Sequence, residues 1–182
     1  MFDNFSENGD LPLVYLSILV GLLAIGVILL FREVLKTRRT ETRFMTLQRK
    51  LTKEKGTAQE YYELGGIYLD KRLYAQSISL FNKALKAKDM EGSENLALVH
   101  NALGFSYASQ EQFDLAIKQY KEALEQQPGY VTAWNNLGFA YEQKQLIAQA
   151  VEAYEKVLEL EPKDSTAKRR AESLRKRLVP SK

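Results

Sequence analysis

Residues 103–128, LGFSYASQEQFDLAIKQYKEALEQQP, and residues 137–162, LGFAYEQKQLIAQAVEAYEKVLELEP, are one pattern written twice. The period is 34 residues, separating Gly104 from Gly138, Tyr107 from Tyr141, Ala116 from Ala150, Tyr120 from Tyr154 and Pro128 from Pro162. A third copy, LGGIYLDKRLYAQSISLFNKALKA, occupies 64–87, and Gly65 precedes Gly104 by 39 residues, so the first junction carries five more than the period. Self-similarity at a fixed period of this length marks a stacked array of helical hairpins. Recurring Gly and Ala suit places where two backbones approach and only a minimal side chain fits, while large residues fill the space between units. Pro128 and Pro162 stop the second helices of their units. At the first junction Asp89 stands instead, and the segment Asp89–Asn95 predicts a longer loop or an extra helical turn, and a mobile connection.

These copies resemble tetratricopeptide repeats. The third fits best, with Trp134, Leu137, Gly138, Tyr141, Ala150, Tyr154 and Pro162 on the motif positions and Val157 in place of the usual small residue. The second supplies His100, Leu103, Gly104, Tyr107, Ala116, Tyr120, Ala123 and Pro128, and the first Tyr61, Leu64, Gly65, Tyr68, Ser77, Phe81 and Ala84. The repeats are expected at 58–91, 97–130 and 131–164 within a domain spanning 57–164. Thr57 with Glu60 three residues on is a capping box that starts the first hairpin. After Pro162, Asp-Ser-Thr opens a last helix whose apolar stripe is Ala167, Ala171, Leu174 and Leu178, so 165–182 reads as a polar capping helix with a basic tail.

Outward from the repeats, the chain changes character. Residues 11–31, LPLVYLSILVGLLAIGVILLF, carry no charge, and 21 residues at helical rise match the hydrocarbon core of a bilayer, about 30 Å. Asp10 is the expected N-cap and Pro12 suits the first turn. A secretory signal would want a basic leader and a small-residue cleavage site, and neither is present. The acidic tail 1–10 has net charge −3 and the connector 32–56 has +6. Retention of Lys and Arg on the cytoplasmic side puts the N-terminus outward and the repeats in cytoplasm or stroma. The same bias accounts for the basic connector without a lipid or nucleic-acid ligand. Within it Phe44, Leu47 and Leu51 share a helical face. Ser17 and Gly21, four apart, read as incidental rather than as a helix-pairing motif. The predicted fold is thus all-α: one N-terminal transmembrane helix, an α-solenoid of three tetratricopeptide repeats and a C-terminal cap.

Composition removes most chemistry. With no Cys and one His in 182 residues, there is no disulfide, thiolate nucleophile or multi-His metal site to build. His100 stands where the third repeat has Trp134 and reads as packing, and Gly65-Gly66 lies inside a helix-pair motif rather than a phosphate loop. No catalytic residue, cofactor, metal or small-molecule substrate is expected. Mean hydropathy over the chain is −0.34 with 45% hydrophobic residues, and the apolar content is concentrated in the span. Residues 56–167 have net charge −6 and residues 168–182 net +6, and the acidic body argues against a nucleic-acid partner.

The resemblance implies a groove lined by the first helices of each hairpin. Carried onto this sequence it presents Tyr62, Glu63 and Gly66, then Leu98, Asn101, Ala102 and Phe105, then Thr132, Asn135, Asn136 and Phe139, with Arg169 and Arg170 added by the cap. Of these, Tyr62, Asn101, Phe105, Asn135, Asn136, Phe139, Arg169 and Arg170 are the expected protein-binding residues, with Asn for a peptide backbone and Phe for apolar contact. The Lys/Asn clamp by which some such domains hold acidic chaperone tails would begin at Tyr62 and Gly66, so it is missing. The span, the connector EVLKTRRTETRFMTLQRKL and the first repeat KGTAQEYYELGGIYLDKRLYAQSISLFNKALK are similar to the membrane-anchored tetratricopeptide photosystem I assembly proteins of cyanobacteria and plastids. That resemblance implies a thylakoid protein, N-terminus in the lumen, whose partners are photosystem I subunits or assembly intermediates. The alternative is an inner-membrane repeat adaptor for envelope, pilus or secretion assembly.

Overall fold

A computed structural model describes residues 11–178, with side chains from 13 onward. Asp3, Glu7, the expected N-cap Asp10, the Pro12 side chain and residues 179–182 lie outside the described residues. The described chain is helical throughout its regular structure: α1 (Leu11–Lys53), α2 (Ala58–Asp70), α3 (Tyr74–Leu85), α4 (Ser93–Ala108), α5 (Phe113–Gln126), α6 (Val131–Gln143), α7 (Ile147–Leu160) and α8 (Ser165–Leu178). It divides into two units between Thr46 and Leu47.

The first unit is the greater part of α1. Every large apolar side chain from Leu13 to Phe31 is exposed. By length and composition this is the one helix among the described residues able to cross a membrane. Ser17 donates its hydroxyl to the Val14 carbonyl at 2.8 Å, and Thr40 and Thr46 do the same to Lys36 and Thr42. Polar side chains in the helix thus close on their own backbone.

In the second unit α2 pairs with α3, α4 with α5, α6 with α7, and α8 lies on α7. Leu47, near the end of α1, is buried here, Gln48 donates to the Tyr68 hydroxyl at 3.2 Å, and Lys50 pairs with Glu60 at 2.6 Å. The Thr57–Glu60 capping box forms, each side chain meeting the other's backbone N–H at 3.1 Å. A Cβ on Gly104 would sit 2.7 Å from the buried Tyr120 ring, and Gly65 against Phe81 and Gly138 against Tyr154 repeat that approach. Here the glycine is needed for room, since an aromatic ring of the hairpin's second helix lies against the bare backbone.

All three hairpin turns close identically. Leu73 donates to the Tyr68 carbonyl, Gln112 to Tyr107 and Leu146 to Tyr141, the long-range bond of a Schellman ending. The residue before each donor takes left-handed φ: Arg72 and Glu111 at 59° and Gln145 at 58°, without glycine. The first inter-hairpin junction ends α3 at Leu85 and starts α4 at Ser93, through Gly92 at φ 85°. The extra helical turn therefore exists, but the expected mobile connection is tied down: both Asp89 carboxylate oxygens accept the Ala58 N–H, at 3.0 and 3.2 Å. On α8, Ala167, Ala171 and Leu174 are buried, while Leu178 on the same stripe stays exposed.

Candidate protein-binding groove

The expected site residues fall on α2, α4, α6 and α8, and hydrogen bonds join several of them across hairpins. Asn136 donates its amide to the Asn101 carboxamide oxygen at 3.0 Å, and Asn101 donates to the Tyr130 hydroxyl at 3.3 Å. One period on, Asn135 reaches the Asp164 carboxylate at 3.5 Å, and Asp164 also accepts the Ala167 N–H at 2.8 Å, capping α8. Tyr130 and Asp164 therefore do the same job 34 residues apart, each partnering an Asn from just before the next helix. Sequence reasoning read Asp164 as part of the Asp-Ser-Thr start of α8 but not as a partner of Asn135, and it did not single out Tyr130; their equal spacing was the available signal. The Asn135 carboxamide oxygen is buried without a hydrogen-bond partner among the described residues.

The aromatic members differ in what they offer. Phe105 is 47% exposed and Phe139 38%, one period apart on α4 and α6. Phe139 meets Phe113 edge-on, centroids 6.5 Å apart. Tyr62 is half-buried, tilted against Phe81 at 5.7 Å, and burial raises its hydroxyl pKa above the ordinary value. The Tyr130 hydroxyl is raised too, by burial first and then by the charge Tyr62 would carry, with the Asn101 hydrogen bond working the other way. Both phenols are neutral donors at physiological pH.

The two arginines part company. Arg169 is exposed. Arg170 donates to Glu142 at 2.7 Å, the Tyr154 hydroxyl donates to the same carboxylate oxygen at 3.2 Å, and the Arg170 guanidinium lies 5.7 Å over the Phe139 ring. Burial opposes the Arg170 charge, but Glu142 and Tyr154 outweigh it and its pKa is raised. Glu142 is thus a further residue of this face that the sequence reading did not include. Farther along α8, Arg175 bonds Glu155 twice and Arg177 bonds Gln145. Much of the basic cap is therefore paired with the third hairpin. At the other end, Gly66 is open: nothing lies within 4 Å of the Cβ it lacks. His100 bonds Gln119 through Nδ1 at 2.9 Å, consistent with packing.

Tetratricopeptide repeat profiles match residues 58–89 and 131–164, and a TPR repeat profile matches 104–145. The chain is 37% identical to the chloroplastic tetratricopeptide repeat domain-containing protein PYG7 of Arabidopsis thaliana over 125 residues, 69% of this chain and 41% of that protein. It is 33% identical to an uncharacterized ycf37 protein of Guillardia theta, covering 66% of this chain and 68% of that one. The match therefore spans less than half of PYG7 and two thirds of the algal protein. Among solved structures, the first tetratricopeptide domain of Spaghetti (RPAP3), bound to the HSP90 peptide SRMEEVD, superposes with TM-score 0.62 at 22% identity, over 70% of this chain and 97% of that domain, a likeness of fold alone. Repeat spacing, helical hairpins and relatives agree: the chain belongs to the ycf37 and PYG7 family of tetratricopeptide-repeat proteins of plastids and cyanobacteria, whose repeats are a protein-binding scaffold.

Proposed function

We propose that this protein is a membrane-tethered adaptor that holds protein clients in its groove and assists the assembly or stability of photosystem I in the thylakoid membrane. The reading puts the N-terminus in the lumen and the repeats on the cytoplasmic or stromal side. The observation that carries it is the face of α2, α4 and α6. Phe105 and Phe139 stand half-exposed one period apart beside the Asn101–Asn136–Tyr130 bonds, and the Asn135 oxygen lacks a donor among the described residues. Apolar steps alternating with amide groups suit a polypeptide that offers side chains and backbone together. Membership in a family with a chloroplastic member and the apolar helix before a basic connector support the location. A tether raises the effective concentration of a weak groove near membrane-inserted clients, so modest affinity suffices and no catalysis is needed.

Photo-crosslinking from Phe139, with exposed Lys156 on α7 as control, tests the reading in native membranes. Photosystem I subunits captured at Phe139 and not at Lys156 are expected. Equal labelling, or adducts only with envelope, pilus or secretion components, overturns the photosystem assignment. Because the chain has no Cys, a single cysteine at Ser6 or Lys88, labelled in sealed vesicles by an impermeant maleimide, tests the orientation.

A further inference from the structure

The five additional residues of the first junction help to wall a cavity. Between α2 and α4 lies a cavity of about 110 Å³ whose wall includes Asp89, Met90 and Glu91 from that junction, with Tyr62, Leu98 and Val99 from the two helices. Its chemistry is one-sided. Two carboxylates line it, no Lys, Arg or His does, and Lys86 and Lys88 of the same segment are exposed outside the lining. Asp89 is fixed by its bonds to the Ala58 N–H, while Glu91 has an exposed side chain and a backbone carbonyl that accepts the Asn95 amide at 2.9 Å. Met90, Leu98 and Val99 supply apolar surface for an alkyl stem, and the Tyr62 ring adds an aromatic wall.

We infer that this cavity receives an arginine side chain of the bound polypeptide, its stem on Met90, Leu98 and Val99 and its guanidinium toward Asp89 and Glu91. A planar cation with several donors satisfies two carboxylates at once and gains from a neighbouring ring, which a neutral side chain of the same shape does not. The inference rests on the proposed groove and specifies its first-hairpin end: the client presents a basic residue there. It also inverts the charge that the chaperone-tail clamp would need at Tyr62 and Gly66.

Met90 lies in the cavity wall and is one of three methionines in the chain, so its ¹³C-methyl signal is a resolved reporter. Full-length protein in detergent micelles is titrated with Nα-acetyl-L-arginine amide, with the neutral citrulline analogue as control. For so small a probe, saturation is expected on the order of millimolar. The Met90 signal should shift saturably with arginine and not with citrulline. Glu91→Gln should weaken binding several-fold and Glu91→Lys at least tenfold. Asp89 is left unaltered in these variants because it also holds the start of α2. Equal shifts from citrulline, no shift at Met90, or an undiminished response in Glu91→Lys overturns the inference. The Phe139 crosslink reports separately on the groove: client capture there with a silent Met90 sinks only the arginine site.

Discussion

The two junctions between hairpins solve one packing problem by different chemistry. Between the second and third hairpins, Ala116 and Ala140 are fully buried in one apolar cluster, Pro128 ends α5, and the Trp134 indole donates to the Pro128 carbonyl at 2.8 Å. At the equivalent positions between the first and second hairpins stand Ser77 and Ser106, also fully buried, their hydroxyls 3.1 Å apart, with Ser106 donating to Ala102 at 2.9 Å. His100 replaces Trp134, and an Asp89 carboxylate clasp replaces the proline. The repeat consensus therefore constrains volume more tightly than polarity. A hydroxyl is accepted in the core if its hydrogen bond travels with it.

The sharpest way to break this comparison is to attack what the junctions share. Phe81 packs among Val99 and Leu103 of the first junction, Tyr120 among Ala116 and Ala140 of the second, and each ring lies against a bare glycine. Gly65→Val and Gly104→Val are each expected to destabilise by about 3 kcal/mol through overpacking. Urea unfolding followed by circular dichroism should place the two close together, and a cost confined to one would show that the junctions do not bear alike on stability.

Next in size is the clasp. Asp89→Ala should lose about 1–2 kcal/mol, as for a helix cap, and raise amide exchange in the first turn of α2. Pro128→Ala, which removes no hydrogen-bonding side chain, should cost less. The serine pair gives a smaller and more diagnostic effect. Ser77→Ala should cost about 1 kcal/mol, while the double change to alanine, copying the second junction, should return close to the parent, because both members of a buried polar pair leave together. A double variant as poor as the sum of its parts would show that the hydroxyls fill space rather than pair. Smallest is Glu111→Gly in the turn of the second hairpin, where the relief of left-handed φ offsets the entropy glycine adds to the unfolded chain. A change within about 0.5 kcal/mol in melting experiments is expected.

How far the sequence could be read follows the same division. The glycine, alanine and aromatic positions recur at a period of 34, so the hairpins and their crossings were visible without coordinates. The capping box was visible because its two residues are neighbours in the chain. The Asp89 clasp joins residues 31 apart in the chain and lies in the segment that departs from the period, where the pattern has nothing to say. The same holds for Arg170: its place on α8 was readable, but its choice of Glu142 depends on which carboxylate α6 brings within reach. Periodicity reports backbones and volumes; partners of long polar side chains are settled by folding.

The arginines of α8 have a bearing on the order in which such a stack comes apart. An array of near-identical units has no central keystone, so it unzips from whichever end is less firmly fastened. Arg170, Arg175 and Arg177 rivet the last helix to Glu142, Glu155 and Gln145, and two of those rivets are ionic and within reach of salt. Ionic strength thus acts on this seam more than on the apolar interior, so rising salt loosens α8 before it reaches the hairpin crossings.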